Sequence, residues 1–392
     1  MHKIIFFAKD IRGGTDVFLK QLELIDGKKF KKIFCFFKKD KHSRYGKNRV
    51  ILNRDYPQET PFTLKKLIIF LKNIPKAYSF IKSERPSLLV SCDTYSYFTL
   101  SIIKIFTFKN LPYVAHFNNN IYFIHKERHS VLYSVLIFSI IKIFSRTPNV
   151  FVFVSRELAQ IAIKKIGIKP RKIEIIYHCL NLQEANKLSK ERLTATQKKI
   201  IGNNRDLKIL SVGRLDPQKD FHTLLQSFSL VLKDIPRCRL IILGDGALRS
   251  DLKKQTLALG IRDKVVFAGW QNNIYKFLKR ADLFVFSSHY EGFPISILEA
   301  LSCGIPVIST ASPTGPREIL DYGKYGFLVN VGDYKNIAAL CIRLLKDKRL
   351  RVQFSKMGLA RIQKFNMFTT QKIQFELLFN NLLEKRSVMY KF

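Results

Sequence analysis

The stretch Lys208-Ile209-Leu210-Ser211-Val212-Gly213-Arg214-Leu215-Asp216-Pro217-Gln218-Lys219-Asp220-Phe221 decides the fold. Its first five residues read as a buried strand. Gly213 lets the chain turn tightly, and Phe221 opens an apolar run of helical period. A strand that passes through a glycine turn into a helix opens a βαβ unit, and such units build parallel sheets. The alternation continues downstream, with strands expected at 239–243, 264–268, 282–286, 306–309 and 326–329 and helices at 221–232 and 247–259 between them. Upstream, short apolar runs at 3–8, 32–37, 87–91, 113–116, 150–154 and 173–177 repeat the pattern. The expected class is therefore α/β, with two Rossmann-like, doubly wound domains facing a cleft.

Between the two series lies QEANKLSKERLTATQKKIIGNNRD, residues 183–206, polar and without a strand-like run. It reads as a linker. The expected organisation is a first domain at 1–182, the linker at 183–206, a second domain at 207–370, and a C-terminal helix at 371–392 that crosses back to the first domain. In doubly wound sheets, ligands sit beyond the carboxyl ends of the strands. The loops after strands are the places to look for chemistry.

The chain has 392 residues, too many for one ordinary core, and its 47% hydrophobic content is ample for burial. Its charge is the outlier: 68 Lys and Arg against 30 Asp and Glu leave +38. Residues 1–200 carry 38 basic and 14 acidic side chains, and residues 201–392 carry 30 and 16. A cationic first half suits an anionic partner such as membrane phospholipid, a lipid diphosphate or nucleic acid, though it also fits a solvated basic surface. The six cysteines are widely scattered, without the close spacing of a metal knuckle or redox pair, which fits a reduced, cytoplasmic compartment. Met1-His2-Lys3 runs straight into a strand-like Ile4-Ile5-Phe6-Phe7, unlike a signal peptide. The apolar run 131–141 ends at Lys142, short of a membrane span, and reads as a buried helix rather than an inserted one. Apolar runs interleaved with Lys also suit a face resting on anionic lipid.

Three constellations could carry chemistry. Arg214 and Lys219 would project two cations beside a helix N-terminus, a plausible diphosphate site without a metal, or else solvent-facing charges on a capped turn. Glu291 and Glu299 stand with seven residues between them in Glu291-Gly292-Phe293-Pro294-Ile295-Ser296-Ile297-Leu298-Glu299, and carboxylates accept hydrogen bonds from vicinal hydroxyls. Taken alone, such a pair arises easily by chance. Ser312-Pro313-Thr314-Gly315-Pro316-Arg317-Glu318 is a Gly/Pro turn opening a short helix, which leaves backbone N–H groups free for phosphate oxygens. Gly244-Asp245-Gly246 ends another strand, and Gly13-Gly14 follows the first.

The succession GRLDPQKDF, GDG, SSHYEGFPISILEALSCGIPVIST and TGPREIL, ending in GKYGFLV, resembles the retaining GT-B glycosyltransferases known as glycosyl transferases group 1, over about residues 205–332. The first half resembles them more loosely, through Gly13-Gly14, YVAHFNN, FVFVSREL and IIYHCLN. The resemblance implies roles. Arg214 and Lys219 would bind the diphosphate of a nucleotide-sugar donor and Glu299 its ribose, while Glu291 would meet its sugar or help organise the reacting face. Backbone amides at Gly213, Gly244, Gly292 and Phe293 would approach sugar or phosphate, Pro294 being unable to donate. Gly13 and Gly14 would approach the phosphates from the first domain, and His116 would lie near the anomeric carbon or serve only in packing. The sequence departs from the family at Thr15-Asp16-Val17 and at His178-Cys179, which bears on the acceptor more than on the donor.

No Asp-x-Asp occurs, so no cofactor and no essential metal are expected, the two cations taking a metal's place. The implied partners are a nucleotide-sugar donor, most often UDP-linked in this family, a lipid-linked saccharide acceptor and an anionic membrane surface. The resemblance leans toward bacterial polysaccharide, O-antigen or lipopolysaccharide synthesis with hexose or N-acetylhexosamine donors, at the inner face of the cytoplasmic membrane. A basic nucleic-acid-binding protein leaves the Glu291/Glu299 pair unexplained; an inactive sugar-nucleotide-binding relative is the other alternative. A Rossmann dehydrogenase would want a G-x-G-x-x-G fingerprint, which neither Gly13-Gly14 nor Gly244-Asp245-Gly246 supplies.

Overall fold

The computed structural model describes residues 1–9, 18–19, 22–23, 25–37, 49–52, 64–128, 130–203 and 205–389. The chain folds as two compact units, one of Met1–Tyr177 with Gln371–Phe392 and one of His178–Thr370.

The first unit holds, among the described residues, a parallel sheet of β1 (His2–Ala8), β2 (Phe30–Phe36), β3 (Arg49–Ile51), β4 (Leu88–Ser91), β5 (Tyr113–Phe117), β6 (Val150–Phe153) and β7 (Ile173–Ile175), in the order β3-β2-β1-β4-β5-β6-β7. Helices cover a parallel sheet on both faces, so its strands read as continuous apolar runs rather than alternating ones. Accordingly Ile4 to Ala8 in β1 and all of Leu88–Ser91 are buried. The edge strand β3, three residues of RVI after the polar run KHSRYGKN, is too short to show any period and escapes sequence reading. The C-terminal helix Lys372–Met389 belongs to this unit. Its Phe375, Leu378, Phe379 and Leu383 join the core of Phe6, Phe18, Phe30 and Phe34.

The second unit repeats the plan with β8 (Leu207–Val212), β9 (Cys238–Leu243), β10 (Val265–Gly269), β11 (Leu283–Phe286), β12 (Val307–Thr310) and β13 (Phe327–Val329), in the order β10-β9-β8-β11-β12-β13. The direction of winding reverses between β8 and β11, which makes that gap the switch point of the sheet.

Two expectations differ from the structure. Residues 183–206 are largely helical and form part of the second unit, through Leu182–Ser189 and Ala195–Ile201. Both helices carry side-chain caps, Asn181 accepting from the Glu184 amide and Thr194 forming a capping box with Gln197. The first packs against the helices Tyr275–Leu278 and Ile295–Ser302. Asn273 Nδ2 fastens the segment by donating to Leu188 O at 2.9 Å and Glu191 Oε2 at 2.8 Å. Polarity of the sequence reflected one solvated side, not absence of structure. The helix Val131–Ile143 is buried on one side only, through Ser134, Ile137 and Ile141.

Candidate active site

The two strongest motifs flank the switch point of the second sheet. The chain leaves β8 at Val212 and crosses to the helix Phe221–Asp234; it leaves β11 at Phe286 and reaches the helix Ile295–Ser302 through Glu291-Gly292-Phe293-Pro294. Several bonds join these two loops. Gln218 Nε2 donates to Tyr290 O at 2.9 Å, His289 N to Gln218 O at 2.8 Å, and Ser287 Oγ to Lys219 O at 2.9 Å. Asp220 adopts a left-handed φ of 46° and caps the helix by accepting from the Thr223 amide at 3.2 Å.

At the centre, Lys219 Nζ donates to Glu291 Oε1 at 2.6 Å, with both side chains largely buried. The ammonium also lies 5.2 Å from the centroid of the Phe286 ring. An ammonium has three N–H donors. Glu291 and the ring fix its position and leave it able to donate to an anion arriving at the loop. Gly213 makes room for it: a Cβ there would sit 3.3 Å from Lys219 Cγ and Cδ. Arg214 pairs with Asp216 at 2.9 Å, but its side chain is 60% exposed and can reach solvent or ligand.

The loop after β9 closes on the loop after β8. Gly244 has φ of 135°, and a Cβ there would lie 1.9 Å from Gly213 O; at Gly246 it would lie 2.4 Å from Leu215 O. Both positions therefore exclude any side chain. Leu215 N donates to Asp245 O and Leu248 N to Leu215 O, each at 3.0 Å. The loop after β12 packs equally closely on the β11 loop. Thr314, at φ of 70°, donates its hydroxyl to Glu291 O, and a Cβ on Gly315 would come 2.5 Å from Pro294 Cδ. Arg361 holds the far end of this loop: Nε donates to Ile319 O at 2.8 Å and Nη2 to Glu318 O at 2.6 Å. Its guanidinium lies over Tyr325 and Phe365, and the Phe365 ring is 5.6 Å from that of Phe293.

Glu299 lies about one turn into the helix Ile295–Ser302. Burial pushes its carboxyl up to about 7, against the opposing effect of a hydrogen bond from Tyr275. Burial and the charge of Glu299 in turn raise the Tyr275 hydroxyl, keeping it a donor. Sequence reading missed Tyr275 because it stands 24 positions from its partner, in a four-residue helix without motif character. It also missed Arg361, whose role depends on carbonyls more than 40 positions away.

The structure thus gathers Arg214, Lys219, Glu291, Gly213, Gly244, Gly292, Phe293, Pro294 and Glu299 on the loops, and the helix after β11, at the carboxyl ends of β8, β9 and β11. His116 belongs to the other unit. It is 1% exposed, stacked at 3.7 Å and 5° on the Phe18 ring and 6.2 Å from Phe375. The ring is thus packed between Phe18 and Phe375 among the described residues. Gly13 and Gly14 lie outside the described residues.

Residues 194–361 match Glycosyl transferases group 1, and residues 32–184 match Glycosyltransferase Family 4. An uncharacterised glycosyltransferase of Methanocaldococcus jannaschii is 30% identical over 331 residues, 76% of this chain and 80% of that protein. The UDP-Gal:alpha-D-GlcNAc-diphosphoundecaprenol alpha-1,3-galactosyltransferase of Escherichia coli is 28% identical over 308 residues, 77% of each chain. Among solved structures, Anabaena HepE in complex with UDP and glucose superposes with a TM-score of 0.76 at 19% identity, covering 96% of this chain and 99% of that one. Two parallel doubly wound sheets, the motif loops gathered at a switch point and these relatives lead to one conclusion: the chain belongs to the glycosyl transferases group 1 family and is a glycosyltransferase of GT-B fold.

Proposed function

We propose that the protein transfers a hexose or N-acetylhexosamine from a UDP-linked donor, with retention of configuration and without a metal, to a lipid-linked saccharide of a bacterial surface polysaccharide, O-antigen or lipopolysaccharide. The observation that carries this reading is the Lys219–Glu291 pair, 2.6 Å apart and held across the switch point of the second sheet. Breaking a sugar–diphosphate bond develops negative charge on the leaving phosphate. A fixed ammonium at Lys219 and an exposed guanidinium at Arg214, paired with Asp216, are suited to receive it, and such preorganised charge lowers the barrier without reorganisation during reaction. Glu299, ionised, accepts from the ribose hydroxyls. Glu291, tethered to Lys219 and to the Thr314 loop, meets the sugar and couples its position to that of the phosphate. Retention then follows by attack on the leaving-group face, the departing phosphate taking the acceptor proton.

UDP is favoured by the ligand named for HepE and by the donor named for the E. coli relative, whose acceptor is a diphosphoundecaprenol-linked sugar. An acceptor of that kind, together with the excess of 38 basic over 14 acidic side chains in residues 1–200, supports the reading that the protein works peripherally at the cytoplasmic face of the membrane. Calorimetric titration of UDP, GDP and ADP into the wild type and Arg214→Ala/Lys219→Ala tests the donor site. Binding of UDP that is lost in the double variant and indifferent to magnesium is the expected result. A folded wild-type protein that binds none of the three sinks the reading.

A further inference from the structure

The helix Val131–Ile143, VLYSVLIFSIIKI, contains one cation and no acid. A helix apolar all round belongs in a core or a membrane. Here only Ser134, Ile137 and Ile141 are buried, while Val131, Leu132, Val135, Leu136 and Ile143 are 81%, 81%, 55%, 53% and 73% exposed. The exposed positions 131, 132, 135, 136, 139, 142 and 143 fall within one arc of about 140° on a helical projection. That arc carries five aliphatic side chains, Ser139 and Lys142. The turn Ala162–Ile166 packs against the helix and adds exposed Ile163, Lys164 and Lys165 beside it. Across residues 101–172 there are 12 Lys and Arg against 2 Asp and Glu.

We propose that this face seats the first unit on an anionic bilayer, the aliphatic arc entering the boundary between headgroups and acyl chains while Lys142, Lys164 and Lys165 meet lipid phosphates. The proposal rests on the reading that the acceptor is lipid-linked and names the surface that brings the protein to it. At about 20 Å the helix is too short to cross the hydrocarbon layer, so it lies in the interface plane. No helix among the described residues is long and apolar enough to cross a membrane. Charge complementarity selects lipid over a second copy of this chain: a two-fold contact through this arc would bring two basic surfaces of a +38 protein together.

Flotation of the full chain with vesicles of phosphatidylcholine, alone or mixed with phosphatidylglycerol, provides the test. Wild type is expected to float with the anionic vesicles only. Leu132→Ser/Val135→Ser/Leu136→Ser lowers the bound fraction roughly tenfold or more, and Lys164→Glu/Lys165→Glu weakens binding and reduces its salt dependence. All the substituted side chains point outward, so UDP binding and the melting temperature of both variants stay at wild-type values. Equal recovery with neutral and anionic vesicles, or triple-serine protein that floats like wild type, overturns the proposal. So does a concentration-dependent dimer that the triple substitution abolishes, which would assign the face to a second copy. Failure of flotation with UDP binding intact refutes this surface alone; loss of UDP binding in wild type refutes the donor reading instead.

Discussion

Glu299 gives the donor site a pH dependence whose size follows from its surroundings. Its carboxyl is raised from 4.5 to about 7 by burial, Tyr275 opposing the shift with a hydrogen bond. If the ionised form alone accepts the ribose hydroxyls, the association constant scales with the ionised fraction. That fraction rises about tenfold between pH 6 and pH 8. The donor should be a UDP-hexose rather than UDP, because its diphosphate is doubly esterified and has no ionisation near neutrality to confuse the slope. Titration calorimetry at pH 6, 7 and 8 should give a steep rise for wild type and a flat, weak profile for Glu299→Gln. Folding stability moves the other way. A carboxyl with a raised folded-state pKa favours the fold while protonated, so that contribution is full below pH 4.5 and is lost as the pH rises through about 7. The loss amounts to at most about 3 kcal/mol, and partial exposure of Glu299 reduces it. At pH 8 the unliganded Glu299→Gln protein should therefore melt higher than wild type. A wild-type binding profile that is flat across this range, or a Gln variant that keeps the slope, refutes the assignment of Glu299 to the ribose.

Lys219→Met should lower kcat/KM by about 30- to 1000-fold, the loss of roughly 2–4 kcal/mol of leaving-group stabilisation. It also strands Glu291, so Lys219→Met/Glu291→Gln should recover stability but not activity, readable by thermal melts beside initial rates. Gly244→Ala sets a methyl 1.9 Å from the Gly213 carbonyl, a backbone atom that cannot rotate away; stability should fall by about 2 kcal/mol or more, and a melt unchanged from wild type would contradict the close approach of the two loops. Arg361→Met removes two charge-assisted bonds to the Glu318 and Ile319 carbonyls. The donor KM should rise as the Thr314–Ile319 loop loosens, with the acceptor KM unchanged, and equal changes in both would point to general unfolding.

Much of this protein could be read from residue order because parallel sheets bury both faces of their strands. Runs such as Ile4 to Ala8 or Leu283–Phe286 are then unbroken apolar signals, and the glycine turns that follow them mark where ligands gather. Arg214, Lys219, Glu291 and Glu299 were visible for that reason, as neighbours of turns in a recognisable order. Capping chemistry at Asn181 and at Thr194 with Gln197 was equally local, yet the polarity of 183–206 hid it.

Long-range packing decided the rest. The Lys219–Glu291 contact joins residues 72 positions apart and exists only because β8 and β11 are neighbours in the sheet. The pairing of Tyr275 with Glu299, and the hold of Arg361 on the β12 loop, depend in the same way on which helices share a face. His116 stands at a strand end in the sequence, and its stacking on Phe18 and its nearness to Phe375 are contacts that no local pattern announces. For Val131–Ile143 the sequence determined an apolar helix and could not say which side the fold would cover. Hydrophobicity is a property of each residue, whereas burial is a property of the neighbours it is given, and only the tertiary structure supplies those.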